Sequence, residues 1–329
     1  MKTKTRVSAF TSKYLSVIAA SALFFIAFII GSVLYRGFFD LQTFFNLFID
    51  KAFLLVSAAG MSLVILSGGI DLSVGSVLAF TTMVIASLTE FAHMNPVLAV
   101  LIALAAGSLM GLGMGLMIAC WNVPPFIATL AGMFFARGAC YLISIQSIAM
   151  RDKTMQALAL WKLRFGTAGF ISVNVIIAVV IILAGIYVSL YTKFGRNIYA
   201  IGGNETSALL MAIPVKRTKV LIYTINGFCS AMSGVVFSLY MLSGYGLHAQ
   251  GMEMDVIASV VIGGTLLAGG TGYVFGSVFG VLTLGIIQSL IMFNGRINSW
   301  WTKITVGILL LVFILLQRFI VVVGNKKNQ

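Results

Sequence analysis

The chain has 329 residues, 60% of them hydrophobic and only 9% charged, with a mean hydropathy of +1.08. This excludes a soluble globular class and points to an all-α polytopic membrane protein, in which apolar stretches of about 20 residues recur at the length that crosses a hydrocarbon core of about 30 Å. The net charge of +13, from 21 Lys and Arg against 8 Asp and Glu, is what cytoplasmic membrane-protein loops accumulate, and no nucleic-acid partner is inferred from it.

At the start of the chain, Lys2, Lys4, Arg6 and Lys13 precede an apolar run from Tyr14 to Tyr35. That run is too long for a cleaved signal peptide and reads as a first span that starts in the cytoplasm. Residues 1–13 are then a cytoplasmic tail, 14–323 a single transmembrane domain, and 324–329 a second cytoplasmic tail carrying Lys326 and Lys327. Hydropathy with glycine and charge breaks predicts spans near 14–34, 52–67, 72–90, 97–119, 126–145, 170–191, 219–243, 256–269, 272–293 and 300–321. The second and eighth are short, so either is a candidate half-helix and a count of eight or nine stays open.

Between the second and third spans lies LSGGIDLSVGS, Leu66 to Ser76. Gly68, Gly69 and Gly75 permit a helix break, and Asp71 stands ahead of a helix start. The carboxylate either caps that start or pairs with a basic group. LAGGTGYVFGSV at 267–278 echoes 66–77, matching Leu66, Gly68, Gly69, Gly75, Ser76 and Val77 with Leu267, Gly269, Gly270, Gly276, Ser277 and Val278. Asp71 then corresponds to Gly272. The copies lie six spans apart, which makes a repeat parallel; coincidence in a glycine-rich window is the alternative. Gly107, Gly111 and Gly115, and likewise Gly276 and Gly280, recur every fourth residue and form flat ridges for close helix packing.

Arg137, in AGMFFARGACYLIS, is the one ionisable residue read clearly inside a span. It either snorkels or caps carbonyls at a helix break, or it offers hydrogen bonds along a pathway for a hydroxylated solute. The ten-span count places residues 146–169 outside, yet they hold Arg151, Lys153, Lys162 and Arg164 against Asp152 alone. This is either an ordinary soluble loop or a basic docking surface for an acidic extracytoplasmic partner.

Residues 192–218 fall on the cytoplasmic side, with Lys193, Arg196, Lys216 and Arg217, and Lys219 at the border, against Glu205. After Gly202 and Gly203, Asn204 is a good N-cap, Glu205 complements the positive end of a helix and Pro214 stops it, so a helix of about nine residues is expected. Leu209, Leu210, Met211 and Ile213 are expected to be exposed, either at the lipid interface or in a groove of a cytoplasmic partner.

Several chemistries are missing. The chain has no G-x-x-x-x-G-K-[ST], H-E-x-x-H or G-x-S-x-G motif. Its two histidines, His93 and His248, fall in external loops or span ends, and Cys120, Cys140 and Cys229 have no paired spacing. Neither a metal nor a cofactor site is indicated in this chain. The lack of midplane carboxylates counts against an ion-coupled secondary carrier, and the lack of a catalytic constellation against an intramembrane enzyme.

Together with VPPFIATLAGMFFARG at 123–138, FGRNIYAIGGNETSALLMAI at 194–213 and DVIASVVIGGTLLAGGTGYVFGS at 255–277, the motif at 66–76 resembles the permease subunits of ribose-type monosaccharide ABC importers. Through SWWTKITVGILLLVFILLQR at 299–318 the chain is most similar to second permeases of galactofuranose importers. The resemblance implies a ten-span permease in a bacterial inner membrane, with both termini cytoplasmic and no catalytic activity of its own. It implies as partners a related second permease in a heterodimer, a periplasmic sugar-binding protein, and a cytoplasmic ATPase that carries the ATP and Mg. It also implies that Gly202, Gly203, Asn204, Glu205, Leu209, Leu210, Met211 and Ile213 form the coupling element that meets the ATPase. Ribose, galactose and other monosaccharides remain alternative cargoes.

Overall fold

A computed structural model describes residues 2–35, 37–166, 169–294 and 300–326, with side chains from residue 17 to residue 315 within those ranges. The side chains of Lys2, Lys4, Arg6, Lys13 and Lys326, and residue Lys327, lie outside what is described.

The chain runs through α1 (Lys2–Leu34), α2 (Leu41–Leu66), α3 (Val74–Glu90), α4 (Pro96–Cys120) and α5 (Pro125–Ile143). Short elements follow, β1 (Ile148–Ala149), α6 (Lys153–Leu160), β2 (Lys162–Arg164) and β3 (Phe170–Ser172). Then come α7 (Val173–Tyr191), α8 (Lys193–Gly203), α9 (Glu205–Leu210), α10 (Val215–Met241), β4 (Ser243–Gly244), α11 (Met252–Ile262), α12 (Val274–Asn294) and α13 (Trp300–Lys326). Among the described residues seven helices, α1, α2, α4, α5, α7, α10 and α12, are long and apolar enough to cross a membrane, and α3 and part of α13 are shorter apolar helices. Each of the ten predicted spans coincides with one helix.

Of the two spans read as short, one is corrected and the other agrees. The second span is not short: α2 is 26 residues long and begins at Leu41, so Asp50 and Lys51, which bounded the predicted span, lie in mid-helix. The eighth is a half-helix, since the 11 residues of α11 extend only about 16 Å at 1.5 Å per residue. It is entered from residues 242–251, where Leu242 turns the end of α10 in a left-handed conformation (φ 48°).

α10 is the central helix, packed against α2, α3 and α4. The glycine ridges explain how closely. A Cβ on Gly107 would stand 2.5 Å from the Ala231 Cβ, one on Gly111 would strike the Tyr223 carbonyl, and one on Gly115 would lie 2.9 Å from the Val220 carbonyl. The backbones of α4 and α10 therefore meet directly, and the attraction is dispersion between closely apposed chains rather than exclusion of water. The second ridge works the same way, with Gly276 and Gly280 against the carbonyls of Gly263 and Ser259 on α11. Of the cysteines, Cys140 and Cys229 are buried, while Cys120 is exposed at the end of α4.

The segment expected as an external loop is folded. β1 pairs antiparallel with β4, and β2 with β3. The Glu90 carboxylate accepts from the backbone amides of Arg151 (2.5 Å) and Asp152 (3.1 Å), and Asp152 in turn caps α6 through the amides of Thr154 and Met155.

Candidate functional site: a glycine junction and a polar cavity

The three glycine pairs singled out by sequence converge. At the end of α2 the amides of Gly68 and Gly69 turn back onto the carbonyls of Ile65 (2.9 Å) and Val64 (3.1 Å), and Gly68 takes φ +80°. The Leu66 carbonyl is thereby left to accept from the Gly270 amide at 2.9 Å. On the other side, after α11, Gly269 takes φ +86°, and a Cβ there would stand 2.6 Å from the Gly68 nitrogen. The third member is Gly202, at the end of α8: a Cβ would collide with the Leu66 carbonyl and lie 2.5 Å from the Gly270 nitrogen. Gly203, grouped with it by sequence, has open space where its Cβ would be. Tyr199, also on α8, donates its hydroxyl to the Gly272 carbonyl at 2.9 Å. Burial pushes that phenol up to about 12, so it stays a neutral donor at physiological pH.

α8 was not foreseen as a helix. Thr192 caps it by accepting from the Gly195 amide at 3.0 Å, and its buried Ile198 and Ile201 hold it against the bundle. α9 follows directly. The Asn204 side chain accepts from the Ser207 amide at 2.8 Å, as an N-cap should, and Glu205 pairs with Lys219 of α10 at 2.7 Å. The helix has six residues, not the nine expected: Met211 is its C-cap, and Ala212 (φ +56°) reverses the chain before Pro214, which precedes α10. Leu209, Leu210 and Met211 are exposed by 56%, 85% and 73%. Ile213 departs from expectation, since it packs with Ile201, Ala208 and Val215 and fastens the turn to α8.

Two members of the predicted break group lie elsewhere. Gly75, in the first turn of α3, faces the loop before α11, where a Cβ would sit 2.5 Å from the Ala249 carbonyl. Gly276 belongs to the α11–α12 ridge. Asp71 is 1% exposed. One of its oxygens accepts from the Ser73 amide (2.8 Å) and hydroxyl (2.6 Å), and the other from the Asn226 side chain at 2.7 Å. It closes the turn that leads into α3 and ties that turn to α10, but it does not cap the helix, whose N-cap is Ser73; among the described residues no Lys or Arg is a hydrogen-bond partner.

Arg137 donates to the carbonyls of Gly246 (2.5 Å) and His248 (2.9 Å), holding the 242–251 segment against α5. The four cations expected outside are all exposed, Arg151 in the turn before α6, Lys153 on α6, and Lys162 and Arg164 on β2. They are interleaved with exposed Trp161, Leu163 and Phe165. Lys162 lies 4.2 Å from the centre of the Phe170 ring.

Sequence reasoning missed a polar cluster inside the bundle. Lys51 of α2 donates to the Gln288 side chain of α12, with Asp50 and Asp255 as its charged neighbours. A cavity of about 180 Å³ opens beside Lys51, Asp255 and Gln288, and one of about 360 Å³ shares Asp255 and Gln288 and reaches Trp300 and Lys303 of α13. Arg137 is thus not the one ionisable group within a membrane-length helix, since Asp50 and Lys51 lie inside α2. Among the described residues there is no group of three or more His, Cys, Asp or Glu able to hold a metal ion.

A family model described as "Branched-chain amino acid transport system / permease component" matches residues 43–314. The chain is 46% identical over 297 residues to the inner membrane ABC transporter permease protein YjfF of Escherichia coli (strain K12), covering 89% of each. It is 39% identical over 317 residues to the fructose import permease protein FruG of Bifidobacterium longum (strain NCC 2705), covering 94% of this chain and 93% of that one. It is 34% identical over 299 residues to the ribose import permease protein RbsC of Escherichia coli (strain K12), covering 91% and 90%. No solved structure matches.

Proposed function

The chain belongs to the family of branched-chain amino acid transport system permease components and is the permease subunit of a sugar importer of the ABC type; from that premise we propose that Glu205–Leu210 is its coupling helix and galactofuranose its cargo. It is not an enzyme, and ATP and Mg belong to a separate ATPase subunit. The cargo assignment is supported by the resemblance of residues 299–318 to second permeases of galactofuranose importers, and it carries with it a related but different permease as the pairing partner. Both termini are assigned to the cytoplasm of a bacterial cell and the membrane to the inner one.

The observation that carries the coupling role is the contact of Gly202 with both Leu66 and Gly270. Exposed Leu209, Leu210 and Met211 give an ATPase groove something apolar to hold. When ATP closes the ATPase, the pull on α9 passes through Gly202 by backbone contact to the end of α2 and to the α11–α12 loop at Gly270, with no flexible side chain between to absorb it. The helices that enter and leave those two breaks then change their tilt together, which is a physical route to alternating access. On the opposite face, the basic and aromatic surface at Arg151, Lys153, Lys162 and Arg164 suits an acidic patch on a loaded sugar-binding protein.

The polar cluster at Lys51 and Asp255 favours one second reading, an ion-coupled carrier, because such groups are what a coupling ion requires. Proteoliposomes separate the two. Labelled sugar uptake that needs ATP, the ATPase, the second permease and the binding protein together supports the importer, and uptake by this chain alone on an ion gradient overturns it.

A further inference from the structure

The cavity between α2, α11, α12 and α13 has no role in coupling or in docking. Its α2 residues Lys51 and Phe53 stand 17 and 15 positions before the glycine junction's Gly68, and the remaining lining comes from four further elements, with Phe237 of α10, Asp255 of α11, Gln288 of α12 and Trp300 of α13. Its polar groups are of three kinds. Asp255 only accepts when ionised, Lys51 only donates, and Gln288 between them does both. The charges nearest Asp255 are Lys51, Lys303 and Glu253, and Asp50 adds to those around Lys51, so cations and anions nearly cancel and the site has no strong preference for a charged ligand. The remaining wall is aromatic, with Phe53 and Phe237 edge to face at 5.0 Å and Trp300 lining the adjoining space.

From this arrangement we propose that Lys51, Asp255 and Gln288 form a binding station for a neutral polyhydroxylated solute within the permease. Neighbouring hydroxyls of such a solute present a donor and an acceptor side by side, which a carboxylate, an amide and an ammonium satisfy together, and its C–H face lies against the aromatic rings. The Lys51 ammonium donates to the Gln288 side-chain oxygen, which leaves the Gln288 amide N–H groups and the Asp255 carboxylate to meet the hydroxyls of a solute. The solute class rests on the permease reading above, whereas the existence of the station rests on the cavity.

The test uses the full chain in nanodiscs, treated with a hydrophobic carbodiimide that modifies membrane-embedded carboxyl groups. The unmodified peptides carrying Asp255 and, as an exposed control, Asp40 are followed by mass spectrometry. D-galactose, D-ribose and D-fructose at 100 mM are the probes and L-leucine is the comparison. The expected result is at least threefold slower loss of the Asp255 peptide with one or more sugars, no change at Asp40, and no protection by leucine. Gln288→Ala should remove the protection, read as the ratio of Asp255 modification rates with and without sugar within that variant. Equal modification with and without all three sugars overturns the proposal, as does protection by leucine alone. Protection that persists although the assembled importer shows no ATP-dependent sugar uptake leaves the station standing and removes the importer reading instead.

Discussion

The backbone amide of Gly270 donates to the carbonyl of Leu66 at 2.9 Å, so the two copies of the glycine-rich echo, at 66–77 and 267–278, are bonded to each other. Gly202 packs against both atoms of that bond. α2 and α11 each run into this contact and α3 and α12 each lead away from it. Of the matched glycines, Gly68, Gly269 and Gly270 stand at this contact, whereas Gly75 and Gly276 pack elsewhere.

Close backbone packing in the bundle predicts opposite outcomes for two glycines of one helix. Gly113 of α4 has open space around a Cβ, whereas Gly111 would strike the Tyr223 carbonyl. Gly113→Ala should stabilise the purified protein by about 0.5–1 kcal/mol through helix propensity, and Gly111→Ala should destabilise it by about 1–3 kcal/mol through overpacking. Thermal unfolding of the two variants in the same detergent checks the pair.

Asp71 makes a prediction about buried hydrogen bonding. In Asp71→Asn the new amide nitrogen opposes the Asn226 side-chain nitrogen, leaving donor against donor, and the loss should be about 1–3 kcal/mol. Exchanging the partners, Asp71→Asn with Asn226→Asp, restores donor to acceptor and should recover much of it. A double-mutant cycle on unfolding midpoints reads the coupling; additive losses would mean that the contact contributes nothing.

The assigned coupling helix separates attachment to the ATPase from attachment to the bundle. Leu209→Asp with Leu210→Asp should release the ATPase from the purified complex while leaving the permease folded, because both side chains are exposed. Glu205→Gln breaks a half-exposed ion pair with Lys219 and should change stability by no more than about 1 kcal/mol. Co-purification and unfolding midpoints measure the two effects; an ATPase that stays bound to the double Asp variant assigns α9 to the lipid interface.

For the external face, replacing Arg151, Lys153, Lys162 and Arg164 with Gln should slow association of the loaded binding protein by about tenfold at low ionic strength. It should also flatten the salt dependence of the on-rate. Stopped-flow binding at two salt concentrations shows whether this surface steers the partner.

The helical bundle was legible because hydropathy and glycine spacing are local signals, and the ridges at Gly107, Gly111, Gly115, Gly276 and Gly280 pack as their spacing indicates. What was not legible depended on distant partners. Lys51 looked like the edge of a span because a charge usually ends one; it sits in mid-helix because Gln288 of α12 receives its ammonium. α8 contains Gly195, Gly202 and Gly203 and reads as loop by propensity, yet the burial of Ile198 and Ile201 overrides the cost of its glycines. The sequence grouped Gly202 with Gly203, and only the approach of Leu66 and Gly270 tells them apart. Asn226, which holds Asp71, carries no local mark of that role.

That distinction gives the most direct measurement. In proteoliposomes holding the assembled importer, the ratio of sugar imported to ATP hydrolysed is compared for Gly202→Ala and Gly203→Ala. A methyl at 202 disrupts the contact between the coupling segment and both glycine breaks, while one at 203 meets nothing. The account predicts at least a tenfold fall in the ratio for Gly202→Ala with ATP hydrolysis maintained, and a ratio within twofold of the parent for Gly203→Ala. Equal ratios in the parent and in folded Gly202→Ala would contradict transmission through this junction.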